Sequence, residues 1–110
     1  MKIRTMTEFV IGRGSTLEGS VSSSAMIRVE GKCKGSLLSS SEIVIAREAE
    51  MEGDLEAGSV VLAGSMRGNI VSHGLVTLSA QARLIGDIRA PLFRMEEGAF
   101  FDGTIIRTVG

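Results

Sequence analysis

The side chains with the chemistry for catalysis are few, and they are scattered. The chain has one histidine, His73, and one cysteine, Cys33. A histidine acting as general base needs a nucleophile or an acid within hydrogen-bond reach. His73 lies in Ser72-His73-Gly74, a turn-like setting, so a solvated corner histidine is expected. A metal would need three or four clustered Cys, His or carboxylate ligands, whereas the acids here are spread along the chain. Gly12-Arg13-Gly14 lacks the third glycine and the following helix of a nucleotide-binding loop, and reads as a turn. Asp54 sits beside Glu52, and Asp87 two residues from Arg89, so neither forms an acid–base pair. Glu96-Glu97-Gly98 reads as another solvated corner. No cofactor, metal or catalytic residue is implied.

The composition narrows the classes further. At 110 residues the chain suffices for one domain. Apolar residues make up 44%, charged residues 23%, and the net charge is −1, which is a globular composition. With 12 basic residues against 13 acidic ones, no general attraction to nucleic acid is expected. No apolar run is long enough for a bilayer span or a secretory signal. A single cysteine cannot form an internal disulfide, so a cytoplasmic location is expected. The chain has 14 glycines but only four aromatic residues, all Phe. Something other than large rings must organise the core.

Repetition supplies it. The pattern apolar–x–Gly–x–apolar recurs six times, from Leu17-Glu18-Gly19-Ser20-Val21 to Phe101-Asp102-Gly103-Thr104-Ile105. The glycines Gly19, Gly35, Gly53, Gly68, Gly86 and Gly103 step by 16, 18, 15, 18 and 17 residues. Two residues before each leading apolar position stands a small residue: Ser15, Gly31, Ala49, Gly64, Ala82 and Ala99. Between these copies runs a second pattern, apolar–x–apolar, from Phe9-Val10-Ile11 to Phe93-Arg94-Met95. Both alternate with period two, which is the signature of strands. Frequent glycine leaves no room for helices.

Short strands at a period near 17 predict an all-β, single-domain parallel β-helix of about six triangular coils. Each circuit would have three faces of five to six residues, and successive coils would stack ~4.8 Å apart. Residues one repeat apart then become ladder neighbours. The outward position before the glycine reads Glu18, Lys34, Glu52, Arg67, Ile85, Asp102, and its first four members alternate in sign. Such exposed pairs contribute about 0.2–1 kcal/mol each, yet the alternation disfavours a slipped register. His73 would neighbour Ser40, Gly58 and Pro91, and Cys33 would be an inward filler between Leu17 and Met51.

The sequence resembles the bactofilins, a bacterial polymer-forming cytoskeletal family. The likeness rests on Ile43-Val44-Ile45 with Met51-Glu52-Gly53-Asp54-Leu55, and on Leu84-Ile85-Gly86-Asp87-Ile88-Arg89-Ala90-Pro91. It continues through Met95-Glu96-Glu97-Gly98-Ala99-Phe100-Phe101-Asp102-Gly103 and runs from about Phe9 to Ile106. It implies a right-handed triangular β-helix that polymerises end to end without nucleotide. It also implies scaffolding of cell shape or envelope, often at the membrane, with envelope or cell-wall-modifying proteins as partners. In place of the extended tails common in that family, an N-terminal arm at 1–8 and a short tail at 107–110 are expected to flank a β-helix over 9–106.

A β-helix exposes unpaired strand edges and apolar interior at both ends unless it is capped. All four phenylalanines fall in the terminal coils, and no capping helix or charged terminal run is evident. Phe9 and Ile11 at one end, with Phe93, Phe100, Phe101 and Ile105 at the other, are therefore the expected end contacts with another copy. Outward Leu38, Val44, Val61 and Val71 are expected lateral contacts, and Met1, Lys2, Ile3 and Arg4 an expected membrane contact. The expected function is a self-assembling, nucleotide-independent cytoskeletal scaffold. The competing readings are a hexapeptide-repeat acyltransferase on a left-handed β-helix and a monomeric adaptor. The variable period and the surroundings of His73 argue against the enzyme.

Overall fold

A computed structural model describes residues 8–108. Met1, Lys2, Ile3 and Arg4 lie outside the described residues. Among the described residues there is no helix. Coil by coil, the chain runs through β1 (Glu8–Ile11) and β2 (Thr16–Ser23), then β3 (Met26–Val29) and β4 (Lys32–Ser39). It continues through β5 (Glu42–Ile45) and β6 (Glu50–Ala57), and then β7 (Ser59–Leu62) and β8 (Ser65–Ser72). The fifth coil is β9 (Leu75–Leu78), β10 (Arg83–Ile85) and β11 (Ile88–Ala90). The sixth is β12 (Leu92–Met95), β13 (Phe100–Asp102) and β14 (Ile105–Arg107).

All pairings are parallel and join successive coils, so the chain is a six-coil β-solenoid. One sheet stacks β1-β3-β5-β7-β9-β12, and the other stacks β2-β4-β6-β8 with β10, β11, β13 and β14. The register follows the repeat letter by letter: Gly19 pairs with Gly35, Gly35 with Gly53 and Gly53 with Gly68. The three faces differ from equal sides of five to six residues. A four-residue strand forms the first, and an eight-residue strand folded at its glycine supplies the second and third.

The glycine makes that fold in the strand. Gly53 has φ +133°, a region that side chains rarely adopt. A Cβ there would also overlap the carbonyl oxygen of Gly35 in the coil before. The column is a corner, with an angle that favours glycine and no space for a side chain.

Inward positions fill the shaft with branched aliphatic residues. Ile27, Ile43, Val60 and Val76 form one fully buried column, and Leu37, Leu55, Ile70 and Ile88 another. Burying each such side chain contributes about 1.5–3 kcal/mol. The small column also lies inside: Ala49 and Ala82 are buried, and a Cβ on Gly64 would strike the carbonyl oxygen of Ala46. Serines close the third face. Ser39 Oγ donates to the Ala25 carbonyl at 2.7 Å and accepts from the Ser41 N–H at 3.0 Å. Ser72 repeats this with the Gly58 carbonyl and the Gly74 N–H, both at 3.2 Å. These hydroxyls tie one corner to the coil below without leaving a buried polar atom unpaired.

Candidate functional site

The residues with reactive groups do not come together. His73 Nε2 lies 3.4 Å from Glu56 Oε2 in the preceding coil, on an exposed surface. Sequence reading placed only Ser40, Gly58 and Pro91 beside it and missed this acid. The reason is that Glu56 occupies the neighbouring ladder and its long side chain reaches across. No nucleophile accompanies the pair. Cys33 is buried between Leu17 and Met51, and burial pushes its thiol pKa up, away from the reactive thiolate. Gly12-Arg13-Gly14 is a turn closed by the Ser15 N–H on the Gly12 carbonyl at 3.0 Å. Asp54 Oδ1 accepts from Asn69 Nδ2 at 3.3 Å, and Asp87 Oδ1 from the Thr104 N–H at 3.2 Å. Both carboxylates therefore serve the corner after the glycine.

What the fold does gather is apolar surface at its two ends. In the last coil, Phe93 stacks on Val76, Met95 on Leu78, Phe101 on Leu84 and Ile105 on Ile88. Every lower partner in those pairs is fully buried. No further coil among the described residues covers the upper ones: Met95 is 42% exposed and Ile105 41%. Phe93 and Phe101 are half-buried, with ring centroids 6.1 Å apart and planes tilted at 46°. At the other end, Phe9 lies under Ile27, Leu17 under Cys33 and Val21 under Leu37, all half-buried, while Ile11 under Val29 is buried. Among the described residues, strands β1 and β2 at one end and β12, β13 and β14 at the other are the edges of their sheets. Each edge presents a row of backbone donors and acceptors that another strand could complete.

Some of the anticipated end residues stand elsewhere on this surface. Phe100 lies on the outer second face, in ladder with Arg83, whose guanidinium sits 5.2 Å from the ring centroid. It belongs to the rim and not to the inward column. Met95, Leu17 and Val21 do belong to the inward columns but were passed over. Their signal was present, since Met95 fills the last place of the apolar–x–apolar pattern. Ring size drew attention away from it.

The outward aliphatic residues form two separate groups. Val44 and Val61 are direct neighbours on the first face. Leu38 and Val71 share a ladder on the third face but are separated by Glu56. That third face is a shallow depression of about 640 Å³, lined by Leu38, Asp54, Glu56, Val71 and Arg89 among others. The alternating charges lie on the second face in the order expected. Among the described residues, however, the ion pair that closes there is Lys32–Glu50 at 3.8 Å, one ladder over.

A stack of like coils whose described end strands lack a further partner could join subunits, and the comparisons with known proteins point to a polymer-forming family. Residues 9–106 match the bactofilin family, described as polymer-forming and cytoskeletal. The chain is 31% identical over 100 residues to bactofilin BacO of Myxococcus xanthus (strain DK1622), covering 91% of this chain and 79% of that one. It is 26% identical over 96 residues to bactofilin BacP of the same organism, covering 87% of this chain and 40% of that one. No solved structure matches. The family role is structural, which sets aside the acyltransferase reading. With its coils, its register and nearly its whole length accounted for, this chain belongs to the bactofilin family of polymer-forming cytoskeletal proteins.

Proposed function

We propose that this chain is the subunit of a filament that grows end to end without nucleotide and scaffolds cell shape or envelope organisation from the cytoplasmic side of the membrane. The observation that carries the reading is the uncovered inward column of the last coil, Phe93, Met95, Phe101 and Ile105. Another coil laid on it would give those side chains the burial that every middle coil already has. Phe9, Leu17 and Val21 offer a corresponding half-buried surface at the opposite end, beside the buried Ile11.

One junction is weak by area. A face about 18 Å long gives an end triangle on the order of 150–300 Å², against the ~800 Å² per partner of a stable interface. Completed strand edges strengthen it, and lateral contacts through Leu38, Val44, Val61 and Val71 would add to it. Met1, Lys2, Ile3 and Arg4 supply a membrane contact in this reading. Two cations are worth only about 1 kcal/mol each at an anionic surface, but a polymer multiplies them. Envelope or cell-wall-modifying proteins are the partners that the family likeness supports.

Electron microscopy of the purified chain without nucleotide or metal tests the core of this reading. Long filaments are expected. Phe9→Arg or Phe101→Arg is expected to shorten or abolish them while the β-sheet circular dichroism stays intact. Unchanged polymers from both variants, or a wild-type chain that stays monomeric at high concentration, would overturn it.

A further inference from the structure

The alternating charges of the second face contribute only weakly to the register within one chain. Across coils one to four, one ladder reads Thr16, Lys32, Glu50, Ser65 and the next Glu18, Lys34, Glu52, Arg67. Lys32 and Glu50 meet only at 3.8 Å with both side chains about two-thirds exposed. Among the described residues, no ion pair within 4 Å joins Lys34, Glu52 and Arg67 to one another. These charges are held in register but left largely unspent.

We propose that this face pairs with the same face of a second copy running antiparallel, which makes it the lateral contact between filaments. A two-fold axis along the strands, between the second and third coils, sets each coil opposite its complement. Lys32 then faces Glu50 of the second copy and Lys34 faces its Glu52. One coil further out, Glu18 faces Arg67. Because the contact is isologous, every pair occurs twice. Parallel pairing without stagger sets Lys32 against Lys34 and Glu50 against Glu52, which repel. The whole face is balanced: Arg83 and Asp102 in the last two coils complete four cations and four anions. A uniformly charged partner, such as an anionic lipid surface, gains nothing from such a face. A mirrored copy of the same alternation gains from each row of the first four coils.

Four coils at ~4.8 Å and a face a few residues wide bury far less than the ~800 Å² per partner of a stable dimer. The pairing therefore matters only when repeated along a polymer, and to that extent it rests on the end-to-end reading above. It is also the salt-sensitive contact, since screening shortens from ~10 Å at 0.1 M to ~3 Å at 1 M ionic strength.

Preformed filaments test it by microscopy and light scattering. Wild-type filaments are expected to bundle at low salt and to separate into single filaments of unchanged length at 1 M salt. Lys34→Glu filaments alone, and Glu52→Lys filaments alone, should lose most bundling, because each then opposes like charge to like. Mixing the two should restore it, since each variant supplies the charge the other lacks; Glu18→Lys with Arg67→Glu repeats the test at an independent row. A thiol-reactive cross-linker should join Thr16→Cys in one filament to Ser65→Cys in another. Bundles that persist at 1 M salt, variants that bundle unaided, mixtures that stay apart, or Thr16→Cys linking to Lys34→Cys in its place would each overturn the proposal. Single filaments that never bundle would sink the lateral pairing and leave end-to-end growth standing, whereas absence of filaments sinks both.

Discussion

The middle coils and the terminal coils are built from the same columns, yet they behave as different materials. Ile45, Leu62 and Leu78 are fully buried, while Met95, the next member of that column, is 42% exposed. Ile70 and Ile88 are fully buried, and Ile105 above them is 41% exposed. Residue type does not explain the difference. In a solenoid each coil contacts only its neighbours, so burial depends on having a coil on both sides. The last coil has inward columns that no other described coil covers.

Several substitutions would break or sharpen this contrast. The largest effect is expected from Ala82→Glu, which puts an unpaired charge into a shaft with no room for it. Such burial costs at least several kcal/mol, so loss of the β-sheet circular dichroism is expected. A well-folded variant would mean that the small column does not face inward. Next comes a matched pair, Leu55→Ala and Met95→Ala. The first should lower stability by about 2–5 kcal/mol in denaturant titration, and the second by less than about 1 kcal/mol. Met95→Ala should instead show its effect on filament length. Equal stability losses would erase the distinction between covered and uncovered coils.

The smallest effect concerns Cys33. Its buried, raised-pKa thiol should react with an alkylating reagent far more slowly in the native protein than in denaturant. The opposite result would place the second coil in an open state.

Much of the fold was legible because a solenoid writes its register into the chain. The glycine column, spaced 15 to 18 residues apart, aligned the coils before any contact was known. The end surfaces were only partly legible. Phe9, Phe93 and Phe101 stood out by type, whereas Met95, Leu17 and Val21 look like ordinary core residues until the stack ends above or below them. Phe100 carried the same signal as Phe101, but alternation turns it outward to Arg83. His73 beside Glu56 depends on how far a long side chain reaches across ladders, which spacing does not encode.

By itself, then, the sequence determined the order of the coils, the identity of the inward columns and the alternation of charge along the second face. Those follow from a period of two along the strand and about 17 around the coil, and both are linear facts. Only the tertiary structure decided which members of equal columns lie uncovered, which charges actually meet, and where the strand folds at its glycine. Each of those depends on the atoms of the adjacent coil, and the described residues place such a coil on only one side of the first and last.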